Sequence, residues 1–254
     1  MRILSLNQFN EKMKIIPLSD DDFNKISPDM YNHYPETKED LRSIIYERIK
    51  KEGLRCNLND IDVSKITDMS YLFSKYNPNY NYIMDNIASF HGDISKWDVS
   101  NVENMSYMFA YAEFFNGDIS KWDVSKVENM NHMFYLSRRF NSDISKWNVS
   151  KVGNMYGMFH NAKSFNSNIS DWDVSNVEDM DSMFYYAESF NGEISGWNVS
   201  KVKDMKFMFS DAKSFDQNLS GWDVSKIKDK NRFFEIFRNC PLKDQPDKQP
   251  KFNV

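Results

Sequence analysis

The chain has 254 residues, of which 41% are hydrophobic and 27% are charged, and these proportions are typical of a folded globular protein. The net charge of −5 argues against a protein dedicated to nucleic acids or anionic membranes. Two cysteines are too few for a disulfide-bonded scaffold. No run approaches the roughly 20 apolar residues of a membrane helix. Residues 1–22 lack the features of a signal peptide, so we expect a cytoplasmic location if the chain is complete.

Residues 37–53 are predicted to form an amphipathic helix that caps the structure that follows. Thr37 is a good N-cap because Asp40 stands three residues later, and Gly53 is a good stop signal. The apolar residues between them recur at the spacing of one helix face: Leu41, Ile44, Ile45 and Ile49. The preceding residues, 1–36, are weakly patterned, and we expect a small N-terminal cap there.

A short repeat with a constant period dominates the rest of the chain. Six tryptophans open the phrase Trp-(Asp/Asn)-Val-Ser, each separated from the next by the same interval: Trp97, Trp122, Trp147, Trp172, Trp197 and Trp222. An earlier copy opens at Ile61, which precedes Trp97 by more than one period, so we place an insertion at residues 76–86. Fixed self-similarity at this period is the signature of a solenoid, which we assign to residues 54–239.

Within each copy, the spacing of the apolar residues changes from that of a strand to that of a helix. In residues 93–116, Trp97 and Val99 alternate as they would in a strand. The next apolar residues are three or four apart, which is the helical spacing: Val102, Met105, Met108, Phe109 and Ala112. The sequence therefore predicts an α/β solenoid of seven strand-helix coils, leucine-rich-repeat-like, with a parallel sheet and an N-terminal helical cap.

Counting onward by the same period predicts how the array ends. It puts Lys230 in the column of Met105, where a polar residue suits a coil that has no successor. It puts Cys240 in the column of Phe115. The tail, residues 240–254, has three prolines and mixed charge, so we expect it to be extended or disordered.

One copy carries a resemblance to a known family. The phrase W-D-V-S-N-V-x-x-M-x-x-M-F stands at residues 97–109, F-N-x-D-I-S follows at 115–120, and both recur with small changes through residue 225. This pattern resembles the repeat of the BspA-like leucine-rich-repeat family of bacterial surface proteins, of the DUF285 type. The resemblance implies a leucine-rich-repeat-like fold, roles in adhesion and protein interaction, and no catalytic residues. It also implies a cell-surface location if the N-terminus was trimmed.

The Asp/Asn column between the Trp and Val columns is the first candidate binding surface. On the predicted strand face it would line the concave side of the solenoid beside a row of lysines. The candidate residues are Lys96, Asp98, Lys121, Asp123, Lys146 and Asp173. The alternative is a solvated face whose acidic and basic side chains neutralise each other. A calcium ladder fits poorly, because it needs about six oxygen ligands and Asn148 and Asn198 interrupt the column.

The insertion at residues 76–86 is the second candidate, because insertions in repeat arrays often lie on the binding face. Its three tyrosines, Tyr76, Tyr80 and Tyr82, suit a contact surface, although an idle loop is the alternative. The columns of Tyr107 and Tyr111 vary between copies but retain aromatic residues. A tunable outer surface would show this pattern, and drift at exposed positions explains it equally well.

No motif for catalysis occurs in the sequence. It has no metalloprotease motif, nucleophile elbow or phosphate-binding loop, and a serine repeated in seven copies is not a catalytic nucleophile. We predict a non-enzymatic scaffold without cofactor or metal, which binds a protein partner or host-surface ligand through the concave strand face or the tyrosine-rich insertion. It would neither bind nucleic acid nor insert into a membrane. The alternative is an assembly component that self-associates through its solenoid ends or a convex aromatic surface.

Overall fold

The computed structural model describes residues 31–75 and 87–252, and in these ranges the repeats stack as seven coils. We number the coils 1 to 7 in chain order. The repeated phrase opens at Ile61 in coil 1, at Trp97 in coil 2 and at Trp222 in coil 7. Isolated parallel bridges join equivalent residues, 36 positions apart between coils 1 and 2 and 25 positions apart thereafter. One such bridge joins Asn57 and Asp93, and the others form a single column, which we call the bridge column: Asp68, Asn104, Asn129, Asn154, Asp179 and Asp204.

The prediction of an α/β solenoid with a parallel sheet is wrong. In the described ranges, strand pairing consists of seven isolated bridges, and the α-helix α1 (Lys38–Glu52) precedes the coils. The phrase predicted as a strand contains β-turns, in which Trp97 N–H donates to the Ile94 carbonyl at 3.2 Å and Val102 N–H to the Val99 carbonyl at 2.9 Å. The described ranges therefore contain neither the expected strand face nor the concave surface that it would line. Four short 3-10 helices complete the helical structure of these ranges: Ile87–Ser89, Lys230–Arg232, Pro241–Asp244 and Pro246–Lys248.

The stripe predicted as a helix is a succession of turns, which we call the turn segment (residues 105–112 and their equivalents). Met108 N–H donates to the Met105 carbonyl at 3.2 Å, and Ala112 N–H to the Phe109 carbonyl at 2.9 Å. The N–H of Met105 instead donates to the Asn129 carbonyl of the next coil at 3.0 Å. Since a β-turn brings residues three apart together much as a helix does, the apolar spacing could not distinguish the two.

The core consists of the Trp, Val, Met and Phe columns, which are buried in every coil from 2 to 6. Buried Phe rings stack between coils, as Phe134 and Phe159 do with centroids 5.7 Å apart. Each Trp indole also donates to a carbonyl of the preceding coil, at 3.0 Å for Trp147 and Ile119 and between 2.9 and 3.2 Å in all six cases. The Trp column therefore joins coils by hydrogen bonds as well as by burial.

Helix α1 covers coil 1. Thr37 and Asp40 form a reciprocal capping box at its start, where the sequence places one. Arg42 is only 4% exposed, and its guanidinium donates to the carbonyls of Tyr71, Leu72 and Ser74. In later coils the positions of Leu72 and Ser74 accept N–H groups from the coil before, as Met108 does from Phe73. Arg42 therefore supplies donors that these two carbonyls of coil 1 would otherwise lack.

Coil 7 is shifted by three residues, so two expectations from counting are wrong. Met205 N–H donates to the Arg232 carbonyl, 27 positions on, whereas Met180 N–H donates to the Asp204 carbonyl, 24 positions on. The shift moves Phe233, not Lys230, into the column of Met205. It also moves Cys240 into the column of Ala212 instead of the Phe column.

The described part of the tail is ordered, contrary to the expectation for residues 240–254. Two 3-10 helices follow Cys240, and Leu242 in the first of them is fully buried. Phe252 stacks on Phe233 with ring centroids 4.1 Å apart. The carbonyl of Lys248 accepts the N–H of Leu219 at 2.8 Å, so the tail closes the end of the core.

Candidate binding surface

The turn segments hold large side chains in a backbone conformation that disfavours them. Tyr107 has φ of 56° and Tyr111 has φ of 64°, and the residues equivalent to both in coils 3 to 7 are also left-handed, as is Tyr71 of coil 1. Only one of these positions, Gly157, is a glycine. A side chain with Cβ costs about 1 kcal/mol in this region, and bulky residues are uncommon there. Such an outlier is grounds for a functional hypothesis.

Rings from these positions and their neighbours form one continuous surface feature, which we call the aromatic ribbon. Tyr71 stacks on Tyr107 with centroids 4.6 Å apart, and Tyr107 stacks on His132 at 4.5 Å. Edge contacts continue the series, as between His160 and Tyr185 at 4.7 Å. The ribbon runs from coil 1 to coil 7 and comprises Tyr71, Tyr107, Tyr111, His132, Tyr135, Tyr156, His160, Tyr185, Tyr186, Phe207 and Phe234.

The ribbon is partly open to solvent, although His132 in it is buried. Tyr156 is 39% exposed and Phe234 is 50% exposed, and most of the other rings are half-buried. Arg238 lies over the rings of Tyr185 and Phe207, with its guanidinium carbon 5.8 and 5.6 Å from their centroids. A contiguous, partly exposed aromatic patch of this kind is typical of an interaction site.

Two histidines lie inside the ribbon in their neutral form. Burial lowers the pKa of His132 to about 4, and burial together with the nearby His132 lowers the pKa of His160 to about 4. His132 occupies the space left by Gly157, where a Cβ would lie 2.8 Å from its Nε2. The centre of the ribbon is therefore packed, and it resists protonation.

We expect acid to weaken the fold through these two histidines. Their folded pKa of about 4 lies below the ordinary value of 6.5, so their contribution is complete above pH 6.5 and is lost as the pH falls towards 4. The free energy of unfolding should fall by about 4 kcal/mol between pH 7 and pH 5 on this account, about 2 kcal/mol for each histidine. Urea denaturation at pH 7 and pH 5 measures this decrease in the free energy of unfolding. The double substitution His132→Phe and His160→Phe should remove the part of the decrease that the two histidines cause. An equal fall in the double variant would contradict the assignment.

The Asp/Asn column predicted to bind a ligand acts in local turns. The Oδ1 atoms of Asp98, Asp123 and Asp173 accept the N–H of the serine two residues later, at 3.0 to 3.1 Å. Asparagine can replace aspartate in this column because only the acceptor oxygen is used, as at Asn148. Hydrogen bonds from Ser125 lower the pKa of Asp123, and hydrogen bonds from Ser175 lower that of Asp173.

The other predicted site residues lie in exposed turns or outside the described ranges. Lys96, Lys121 and Lys146 are exposed and occupy turns near the Asp/Asn column. A binding role for this column stays a prediction. Tyr76, Tyr80 and Tyr82, with the rest of the insertion, lie outside the described residues.

Sequence reasoning found only part of the ribbon. It singled out the columns of Tyr107 and Tyr111, but it missed Tyr156, Phe234 and the column of Tyr135, His160 and Tyr185. The residues of that column also recur at the period of the repeat, which is the signal that could have found them.

The described ranges contain no cluster of three or more His, Cys, Asp or Glu residues that could hold a metal ion. None of their helices is both long enough and apolar enough to cross a membrane.

The stacked copies and the shared turn geometry define a repeat protein. A family model described as "Mycoplasma protein of unknown function, DUF285" matches residues 40–168, 78–191 and 138–244. These overlapping matches cover most of the chain, and the protein belongs to this family, in agreement with the resemblance seen in its repeats. No curated protein and no solved structure matches the chain.

Proposed function

We propose that the protein is a non-enzymatic binding scaffold that holds a protein partner along the aromatic ribbon. The observation that carries this proposal is the presence of Tyr, His or Phe at left-handed positions in five of the seven coils. Glycine or asparagine would be less strained there. Because these rings are retained in spite of the backbone strain, we infer that the surface they form is functional.

The geometry also suits a polypeptide ligand. The ribbon crosses all seven coils, and its exposed rings offer apolar area with few rotatable bonds, which lowers the entropy cost of binding. Polar side chains flank it along the bridge column, such as Asn129, Asn154 and Asp179. An extended chain could place apolar side chains on the rings and polar groups beside them.

Selection from a random peptide display library against the full chain tests this proposal. We expect enriched peptides to bind at least tenfold more weakly to a variant with Tyr186→Asn and Phe207→Asn. Asparagine tolerates φ values near 56° and 55°, so relief of strain should offset the lost ring contacts and leave the Tm within about 4 °C.

The matched control is Phe114→Ala, because Phe114 is an exposed aromatic residue outside the ribbon. Peptides that bind the ribbon should bind this control as they bind the wild type. Equal binding to the Tyr186/Phe207 variant would place the binding surface elsewhere. A selection that enriches no peptide would overturn the scaffold proposal for peptide ligands.

Self-association through an end is a second candidate. In coil 7 the N–H groups of Glu235 and Asn239 have no hydrogen-bond partner within the described ranges, although equivalent groups in earlier coils donate to the next coil. At the other end, Arg42 already satisfies the carbonyls of coil 1. Sedimentation over a wide concentration range tests this candidate, and a monomer throughout would count against it.

A further inference from the structure

An open depression lies between coils 5 and 6, at the acidic end of the bridge column. Its volume is about 300 Å³, and Glu178, Asp179, Lys203, Asp204 and Arg232 line it. Two of its three carboxylates already have cations. Glu178 pairs with Lys203 at 2.6 Å, and Asp204 pairs with Arg232 at 2.5 Å.

The third carboxylate has no such partner. Asp179 accepts the N–H of Asp181 at 2.9 Å, and no described lysine or arginine forms an ion pair with it. Burial, and to a lesser extent the charge of Asp204, raise the pKa of Asp179, although the N–H of Asp181 and the charge of Arg232 act against them. Burial, followed by Asp204 and Asp179, also raises the pKa of Asp181, against hydrogen bonding from Ser182 and the charge of Lys206, which forms no ion pair with it. The carboxylates of coils 5 and 6 thus repel one another, and an added cation would relieve this repulsion.

The aromatic ribbon passes beside these carboxylates. Asp181 is the equivalent of Tyr156 in the next coil, and the N–H of the adjacent Gly157 donates to the Asp181 carbonyl at 2.8 Å. Tyr156 is the most exposed tyrosine of the ribbon, and burial, Asp181 and Asp179 raise the pKa of its hydroxyl. A partly exposed ring next to unpaired carboxylates is a favourable environment for a guanidinium or ammonium group. On the far side, Lys206 lies over Phe207 at 5.2 Å and marks where the acidic stretch ends.

We infer that the ribbon binds an extended peptide segment that carries an arginine or lysine, and that this basic side chain enters the space beside Asp179 and Asp181. The inference rests on the proposed function and adds the chemistry of the partner. The ribbon supplies apolar contacts along its whole length, so these contacts do not fix the position of a peptide. Among the described residues, the carboxylates beside the ribbon that form no ion pair lie in coil 5. Charge complementarity therefore identifies a basic side chain as the occupant of this place. The basic residue would therefore fix the register of the peptide on the scaffold.

The same display selection tests this inference when the enriched peptides are sequenced and the strongest one is synthesised. We expect arginine or lysine at one fixed position in the enriched set. Replacing it by glutamine should weaken binding to the wild type about tenfold. On a variant with Asp179→Asn and Asp181→Asn, the same replacement should change the affinity less than twofold. Asparagine keeps the Oδ1 acceptors of both turns, and an unchanged Tm would show that the fold is intact.

A variant with Asp143→Asn and Asp171→Asn is the matched control, because it makes the same change of charge at exposed turns outside the ribbon. It should bind the basic peptide as the wild type does. Enriched peptides without a basic residue, or equal losses in both double variants, would overturn the inference and leave the proposed function standing. A selection that yields no binder would overturn both.

Discussion

Replacing Arg42 by methionine is expected to lower the free energy of unfolding by about 4 kcal/mol. Methionine keeps the apolar part of the side chain but leaves the buried carbonyls of Leu72 and Ser74 without their donors at 3.1 Å. The carbonyl of Tyr71 loses one donor as well but keeps the N–H of Ser74 at 3.2 Å. Urea denaturation measures the change as a lower midpoint, and hydrogen exchange should show the loss of protection first in coil 1.

The control for this prediction lies on the same helix. Lys50 is exposed, so Lys50→Met should change the free energy of unfolding by less than about 0.5 kcal/mol. Arg42→Lys should give an intermediate loss, because an ammonium group cannot reproduce the fork of the guanidinium. If Arg42→Met is as stable as the wild type, Arg42 does not replace the missing preceding coil.

Replacing Trp147 by alanine is expected to cost a similar amount, about 4 kcal/mol, because it opens a cavity in the middle of the core. Trp147 is 3% exposed, and its indole donates to the Ile119 carbonyl at 3.0 Å. Trp147→Phe removes the indole hydrogen bond and only part of the side-chain volume, and it should lower the free energy of unfolding by about 2 kcal/mol. Denaturation followed by far-ultraviolet circular dichroism measures both changes.

Tyr46→Phe serves as the reference, since Tyr46 is 38% exposed on α1 and should tolerate the loss of its hydroxyl. Should Trp147→Phe prove as stable as the wild type, the indole hydrogen bonds between coils would contribute no net stability. The Trp column would then act through burial alone.

Parts of the fold were predictable because their signals are local or repeated. Thr37, Asp40 and Gly53 mark the ends of α1 by chemistry that acts within one turn of helix. The offsets between bridged positions, including the longer first one, follow the spacing of the repeated phrase. The buried columns follow from apolar letters that recur at that period.

The conformation within each coil was not predictable in the same way. Trp97 and Val99 alternate as in a strand, yet turns surround both of them. Met105, Met108 and Ala112 are spaced as in a helix, yet half of the N–H groups in this segment donate to the next coil. Whether an N–H bonds within its own coil or across to another depends on the neighbouring coil, which no local pattern describes.

The proposed binding surface was also predictable only in part. Variation in the columns of Tyr107 and Tyr111 pointed to an outer surface, but the sequence cannot show that both positions have positive φ. Nor can it show that His132 fills the space above Gly157, because that contact joins residues of different coils. The Asp/Asn column was more conspicuous in the sequence, but its side-chain oxygens accept hydrogen bonds within local turns.

The sequence by itself determined the repeat, its register, the core columns and the capping helix, because a fixed period and apolar content dictate which residues can be buried together. Only the tertiary structure decided the turn conformation, the three-residue shift in coil 7 and the aromatic ribbon. Each of these depends on hydrogen bonds and ring contacts between coils, and their free energy arises only when one coil lies against the next.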